Sequence, residues 1–324
     1  MNAYRLNAAA AAALAATALL APAAHAQTYP SKAVRMIVPF APGGGTDIQA
    51  RLLSRKFQES TGQTFIVDNR PTANGMLGAE LAAKAPPDGY TILFMSAALA
   101  VNTTLIKKLA INPAQDLEGV SLVSSVPLVL TVHPSLPVKN PKDLAALSKR
   151  TKDGMNAGSN GNGTTSHLSL EMFKQMAGVN ATHIPYKGSG PAVTALVSGE
   201  NEFSFPTALA AMPHIKSGRL RGLAVTTSKR SSSLPELPTM ASFYPGFDTD
   251  NWYGMFVPAR TPADVKAKLN AEILKALKAN DVREFMAKEG GEPVGTSPDE
   301  MTAYFKREVE KFAKVIRAGN IHVD

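Results

Sequence analysis

Short apolar runs and helical patterns alternate along this chain from residue 35 onward. Runs of apolar residues predict buried strands, while apolar residues spaced three or four apart predict amphipathic helices. In the first third, the pattern predicts strand 35–38, helix 47–60, strand 64–67, helix 75–84 and strand 90–95. Strands that alternate with helices in this way favour an α/β fold with a parallel sheet.

The middle of the chain repeats the alternation. Residues 126–133 form an apolar run without helical spacing, which we interpret as a strand crossing between two domains. The serine- and proline-rich segment 229–239 predicts a surface loop or a return crossing. The other predicted elements are strand 156–159 leading into a loop, helix 166–176, strand 181–186, helix 191–197 with Pro191 near its N1 position, and strands 203–205 and 220–226.

Two helices are predicted at the C-terminal end. The first opens at 261–264 and has apolar residues at helical spacing from Val265 to Leu277. The second begins with a capping-box spacing of Ser297 and Glu300 and ends at Gly319.

The N-terminal segment is typical of a secretory signal. Residues 1–26 contain one positive charge, at Arg5, then a run of mostly Ala and Leu, and end in Ala24-His25-Ala26. The run is too short and too rich in alanine to predict a membrane span. We therefore expect a mature periplasmic chain of 298 residues (324 − 26).

Composition narrows the possible functions. The 324-residue length predicts two domains, and the absence of cysteine excludes disulfides, thiol catalysis and zinc–thiolate sites. The net charge of +8 suits an anionic ligand. Only 6% of residues are aromatic and no Lys/Arg cluster is interleaved with them, which argues against nucleic-acid binding.

The most informative stretch is 38–51, where a strand runs into a glycine-rich turn and then into a helix. Thr46 is a candidate N-cap with Gln49 at capping-box spacing, and the first turn of such a helix favours an anion. The spacing fits neither a phosphate loop nor a dinucleotide fingerprint, so we predict a carboxylate ligand. We expect Asp47 to face the loop backbone, away from that anion. A tight corner without a ligand is the alternative interpretation.

Two further turns have related patterns. Residues 157–168 combine glycine, asparagine and hydroxyl side chains before a helix with Thr165 or Ser166 as its cap. If this turn faced the first one across a cleft, the two turns would share one carboxylate. Residues 185–191 bring Lys187 as a candidate countercharge. The alternative for residues 157–168 is a flexible loop, and the alternative for Lys187 is a solvated lysine without a ligand.

No motif predicts catalysis. The chain lacks a G-x-S-x-G elbow, a H-E-x-x-H motif, paired carboxylates and histidines at metal-ligand spacing. We therefore expect no catalytic residue, metal or cofactor. An exported serine hydrolase that uses Ser159 and His167 remains the main alternative.

Several ordered segments together resemble the extracytoplasmic solute receptors of tripartite tricarboxylate transporters, often called Bug receptors. They are 39–47 with Arg51, 69–71, 87–91, 158–161 with His167 and Leu168, 185–191, 223–226, 237–239 and 258–262. The resemblance implies a type II periplasmic binding protein (Venus flytrap) fold, with two α/β lobes joined by crossing segments. Lobe 1 would comprise 27–127 plus 245–324, and lobe 2 would comprise 128–244.

In that family, the strand-to-helix turns of both lobes hold a ligand carboxylate, largely through backbone groups and ordered waters. The motifs carry this role to residues of the first two turns, and we add the lysine of the third turn and two residues at strand ends. The predicted ligand-binding residues are Phe40, Ala41, Pro42, Gly43, Gly44, Gly45, Thr46, Ser96, Ser159, Asn160, Gly161, Gly163, Thr164, Thr165, Lys187 and Thr207.

The sequence departs from the family pattern at two places. Residues 72–74 replace a glycine-rich continuation, and 205–207 lack the acidic residue that amino-acid-binding members place near the ligand ammonium. A mono- or dicarboxylate therefore fits better than an α-amino acid. The resemblance predicts a monomeric receptor that passes a small organic carboxylate to a membrane permease, without chemistry. A ligand-sensing module for a signalling partner is a further alternative.

Overall fold

The structure is a computed structural model that describes residues 29–43, 45–71, 75–288 and 290–322. The predicted signal segment 1–26, Gly44 and residues 72–74 lie outside these ranges. Within them, none of the helices has the length and apolar character needed to cross a membrane. The elements described below belong to one unit that begins at Lys32.

Strands and helices alternate through most of the chain, as the hydrophobic pattern predicts. The strands are β1 (Val34–Val38), β2 (Phe65–Asn69), β3 (Thr91–Ser96), β4 (Leu117–Ser125), β5 (Val129–Val132), β6 (Met155–Ser159), β7 (Ala181–Pro185), β8 (Phe203–Ser204), β9 (Arg221–Val225), β10 (Tyr253–Pro258) and β11 (Glu292–Pro293). The helices are α1 (Gly45–Thr61), α2 (Met76–Ala83), α3 (Ala98–Leu105), α4 (Pro113–Asp116), α5 (Pro141–Arg150), α6 (Thr165–Ala177), α7 (Ser189–Ser198), α8 (Ala208–Lys216), α9 (Ala263–Leu277), α10 (Asn280–Lys288) and α11 (Pro298–Ala318).

The strands form two sheets. One has the order β11-β4-β10-β3-β1-β2, and the other has the order β7-β6-β8-β5-β9. In the first sheet, β1 runs parallel to β2 and β3, while β10 is antiparallel to β3 and β4. In the second sheet, β6 runs parallel to β7 and β8, while β5 is antiparallel to β8 and β9. The predicted parallel arrangement is confirmed for β1, β2 and β3. Each sheet also contains a reversed strand, β5 or β10, which is the first strand after a crossing and therefore enters its sheet from the opposite direction.

The chain passes between the sheets twice, from β4 to β5 and from β9 to β10. The two crossings lie side by side: Pro127 and Asp250 form an isolated antiparallel bridge, and Asn251 N donates to Val126 O at 3.0 Å. The apolar run predicted as one crossing strand therefore divides into a crossing segment and β5.

The C-terminal helix α11 packs its apolar face against the first sheet. Phe305 and Phe312 are buried there, and the buried Trp252 donates its indole N–H to Glu308 at 3.0 Å. The predicted capping box of Ser297 and Glu300 is confirmed, as is the helix end at Gly319. This helix also contacts α6 of the second sheet, since Gln175 Nε2 donates to Val315 O at 2.9 Å.

Candidate ligand-binding cavity

A cavity of about 500 Å³ lies where ends of strands from both sheets meet the two crossings. Its walls come from the starts of helices, from the crossings and from β10. The lining residues are Gly45, Gln49, Val126, Asn160, Thr164, Thr165, Gly188, Ser189, Gly190, Thr207, Leu209, Ala210, Asn251 and Tyr253.

Four helices begin at this cavity. Gly45 is the first residue of α1, while Thr164, Gly188 and Thr207 are the N-caps of α6, α7 and α8. The first turn of each helix carries backbone N–H groups without intrahelical partners and a partial positive charge. Among the described residues that line the cavity, none is charged. The site therefore favours an anion through helix starts and neutral hydrogen-bond donors.

Asp47, close to the first helix start, faces the loop backbone as predicted. Its carboxylate accepts hydrogen bonds from Gly43 N at 2.9 Å, Arg51 Nε at 3.0 Å and Asn69 Nδ2 at 2.9 Å. Burial raises the pKa of Asp47, but these hydrogen bonds outweigh burial and leave the pKa below its ordinary value. Asn69 Nδ2 also donates to Phe40 O at 3.1 Å, so Asp47 and Asn69 together hold the turn.

The predicted capping box at Thr46 is wrong. Helix α1 already begins at Gly45, which puts Thr46 inside the first turn, where it is buried. Gln49 instead accepts a hydrogen bond from Ser124 Oγ at 2.8 Å and lines the cavity. This contact occupies its side-chain oxygen and leaves its amide NH2 group as a donor.

In the second turn, the cap lies one residue earlier than predicted. Thr164, rather than Thr165 or Ser166, accepts from His167 N at 3.4 Å, and its hydroxyl donates to Gly161 O at 2.7 Å. The turn is joined to the third one, because Gly188 N donates to Asn160 O at 3.0 Å. In the third turn, α7 begins at Ser189, so Pro191 is its third residue rather than its first.

Three of the predicted residues in the second turn, Ser159, Gly161 and Gly163, do not line the cavity. Ser159 is fully buried; its Oγ accepts from Gly161 N at 3.1 Å and lies 2.5 Å from His183 Nε2. Gly163 N donates to His167 Nδ1 at 3.3 Å. The two imidazole rings stack at 4.0 Å. Burial lowers the pKa of His167 to about 3 and that of His183 to about 4, so both rings are neutral at neutral pH.

This arrangement contradicts the serine hydrolase alternative. The hydroxyl of Ser159 is hydrogen-bonded to His183 rather than to His167. Because Ser159 is fully buried and lies behind the wall, a substrate in the cavity cannot reach it.

The other predicted residues divide into those on the cavity wall and those away from it. Gly45, Asn160, Thr164, Thr165 and Thr207 line the cavity. Lys187 is exposed and Ser96 is buried at the end of β3, and neither lines it. Phe40, Ala41, Pro42, Gly43 and Thr46 do not line it either. Gly44 lies outside the described residues.

Sequence reasoning missed the contribution of the second crossing and of β10, the strand that follows it. Tyr253 stacks on Phe94 with 6.2 Å between ring centroids, and its hydroxyl accepts from Asn251 Nδ2 at 3.0 Å. The hydroxyl lies only 2.8 Å from where a Cβ at Gly45 would stand, so it lies against the start of α1. No sequence signal marks Tyr253, because its position depends on the pairing of β10 with β3.

Comparisons with known proteins match this chain to a known family. The model of the tripartite tricarboxylate transporter family receptor matches residues 49–321. Protein BugT of Bordetella pertussis is 39% identical over 305 residues, which are 93% of this chain and 94% of BugT.

Solved structures show the same fold. A protein of R. palustris with adipate is 34% identical, with a TM-score of 0.79 over 91% of this chain and 99% of that one. MatC from Rhodopseudomonas palustris with bound malate is 30% identical, with a TM-score of 0.74 over 89% of this chain and all of MatC.

Proposed function

The chain belongs to the tripartite tricarboxylate transporter receptor family, and from this premise we propose that its cavity captures one small organic carboxylate for delivery to a membrane permease. Members of this family are solute-binding receptors rather than enzymes. The proposed receptor is a monomer that is exported to the periplasm with removal of residues 1–26.

One observation carries the proposal: four helix starts meet at a cavity whose described lining residues include no charged side chain. Each helix start stabilises an anion by about 0.3–1 kcal/mol, so four of them contribute roughly 1–4 kcal/mol. Micromolar binding requires about −8 kcal/mol. Charge-assisted hydrogen bonds from the backbone, Gln49 and the hydroxyls of the wall must supply the remainder.

The lining also bears on the ligand class. Val126, Leu209 and Ala210 provide an apolar surface beside the helix starts, suited to the carbon skeleton of an organic acid. The described lining residues include no carboxylate that would pair with an ammonium group. Relatives of this chain have been solved with adipate and with malate. We therefore propose a mono- or dicarboxylate rather than an α-amino acid.

The proposed capture involves closure of two lobes, 27–127 plus 245–324 and 128–244. The crossings provide the hinge, because they connect the two sheets and pair with each other at Pro127 and Asp250. Closure around a bound carboxylate would exclude water and strengthen each hydrogen bond.

Titration calorimetry on the purified mature chain tests the proposal. We expect adipate, malate or a related carboxylate to bind with micromolar affinity, and alanine not to bind. Thr207→Ala and Thr165→Ala remove hydroxyls at the cavity but keep the backbone donors, so each should weaken binding about threefold to tenfold. Thr194→Ala, at an exposed position of α7 away from the wall, is the matched control. Binding of alanine but of no carboxylate would contradict the proposal.

A further inference from the structure

Two stacked histidines lie directly behind the turn 159–165, which we call the second glycine turn. His167 belongs to the first turn of α6 and is 5% exposed, while His183 lies on β7. Their rings are nearly parallel, at 10°, with centroids 4.0 Å apart. Both rings hydrogen-bond residues of the second glycine turn, yet neither lines the cavity.

We propose that His167 and His183 are positioning residues that hold the second glycine turn in its ligand-binding conformation. This inference rests on the proposed function, since it assigns the pair to the same cavity. The histidines act through backbone amides and touch no ligand.

The direction of the hydrogen bonds defines what each ring does. Gly163 N donates to His167 Nδ1, so that nitrogen must be an unprotonated acceptor. Gly161 N donates to Ser159 Oγ, which leaves the hydroxyl proton of Ser159 for His183 Nε2. Each ring therefore ends a hydrogen-bond chain that begins at a glycine amide of the turn.

The turn needs these hydrogen-bond acceptors because its glycines allow the backbone many conformations. Gly161 has φ 126° and Gly163 has φ 70°, both in the region that favours glycine. A segment with this freedom has many alternative conformations to lose on ordering. Hydrogen bonds from the two glycine amides select one conformation, in which Asn160, Thr164 and Thr165 form the wall.

The pair also keeps the site free of charge. Protonation of His167 at Nδ1 would replace the acceptor with a donor that faces the donor Gly163 N. Burial keeps the pKa of both rings far below neutral, and Lys174 lowers it further. The acceptors are therefore present throughout the neutral range.

Asparagine and glutamine substitutions test the inference atom by atom. The side-chain oxygen of asparagine stands near the position of histidine Nδ1, and that of glutamine reaches the position of Nε2. His167→Asn and His183→Gln therefore keep the acceptor that the turn uses, whereas His167→Gln and His183→Asn displace it. Asparagine is one methylene group smaller than glutamine, but the variant that keeps the acceptor is the smaller one at position 167 and the larger one at position 183. A loss of volume alone therefore cannot produce the expected pattern at both positions.

Two measurements are made on all four variants: amide hydrogen exchange across 159–165, and calorimetric affinity for adipate and malate. We expect His167→Gln and His183→Asn to speed exchange at Gly163 and Gly161, respectively, and to weaken binding about tenfold. His167→Asn and His183→Gln should stay within about threefold of the natural chain. Equal losses for both substitutions at each position would overturn the inference in favour of a merely structural role.

Ser159→Ala serves as a milder variant in case the histidine variants fold poorly. It removes only the link between Gly161 N and His183, so exchange should rise at Gly161 and not at Gly163. Unchanged exchange at Gly161 would overturn the inference. If the natural chain bound no small carboxylate, the proposed function would fail, whereas the exchange pattern would still decide the role of the histidines.

Discussion

At the scale of single residues, Gly45 and Tyr253 illustrate how tightly the cavity wall is built. The tyrosine ring is 7% exposed and stacks on Phe94, so its hydroxyl cannot move far from the start of α1. A side chain at position 45 would therefore meet a nearly fixed oxygen at 2.8 Å. The glycine here is required by close approach rather than by backbone freedom.

We expect Gly45→Ala to lower the free energy of unfolding by about 1–3 kcal/mol and to weaken carboxylate binding, because the new methyl group displaces the Tyr253 hydroxyl. The double variant with Tyr253→Phe removes the obstructing oxygen and should recover part of the lost stability. Denaturant unfolding and calorimetry measure the two effects. Gly190→Ala is the control for the unfolding measurement alone, since a Cβ there meets no atom within 4 Å but Gly190 also lines the cavity. Equal losses of stability at positions 45 and 190 would contradict the explanation.

The orientation of Asp47 could be predicted from sequence, whereas the burial of Ser159 could not. An acid beside a predicted anion site must turn away from the anion, so elementary electrostatics fixes its direction. Ser159 is buried because β6 pairs with β7, which brings His183 next to its hydroxyl. That register joins residues 24 positions apart, and no local pattern encodes it.

At the scale of secondary-structure elements, the glycine-rich turns marked where helices begin, but the cap of α6 lies one residue before the predicted one and α1 begins before its predicted cap, Thr46. Hydroxyl side chains occupy three consecutive positions from Thr164 to Ser166, and only the path of the backbone decides which one caps α6. Helix α8 was missed because it contains Pro213 and has a mostly small, apolar sequence. Strand β4 was missed because serines and glycine interrupt its apolar pattern.

The glycine in β4 has a packing role. A Cβ at Gly119 would stand 2.5 Å from Met301 Cγ and 2.8 Å from Thr302 N, so α11 lies almost in contact with the strand backbone. Gly119 N also donates to Thr302 Oγ1 at 3.0 Å. The interruption of the apolar pattern thus marks where the C-terminal helix approaches the sheet.

We expect Gly119→Ala to destabilise the protein by at least about 1–3 kcal/mol, because the obstructing atoms include the helix backbone, which cannot rotate away. Chemical denaturation provides the measurement. Carboxylate affinity should stay near that of the natural chain under conditions where the variant is folded, since Gly119 does not line the cavity. An unchanged free energy of unfolding would contradict the close approach of α11 to β4.

At the scale of the whole molecule, ionisable groups at the crossings and behind the cavity give opposite pH dependences. Burial raises the pKa of Asp250 to about 7. The hydrogen bond from Ser125 lowers this pKa, and the charge of Glu308 raises it further. The two histidines have lowered pKa values. The raised carboxyl pKa favours the folded state at low pH, and the lowered imidazole pKa values favour it above the unfolded-state value of about 6.5.

We expect the free energy of unfolding to fall less steeply with rising pH in Asp250→Asn than in the natural chain. The carboxyl binds its proton more tightly when folded, so its contribution is complete below about pH 4 and is lost as pH approaches 7. Between pH 5 and pH 8 the natural chain should lose roughly 2–3 kcal/mol through this group. Unfolding curves at several pH values compare the variant with Asp153→Asn, a control at an exposed position. Identical pH dependence in all three proteins would contradict the assignment.

The alternation of strands and helices, and the crossing at 126–133, could be predicted from the sequence because apolar runs differ from helical patterns. The mixed strand directions were not, because they depend on how the chain re-enters each sheet. The same re-entry brings Val126 and Asn251 to the cavity wall, and local patterns carry no record of it.

Val126 and Asn251 belong to the two paired crossings, are hydrogen-bonded to each other, and also line the cavity. In the proposed closure, the crossing residues that bend are therefore among the residues that contact the ligand. Mutational scanning of these segments will accordingly change affinity and bending stiffness together. A fluorescent sensor built from this protein should therefore carry its dye outside the two crossings, so that the dye reports the motion without changing ligand affinity.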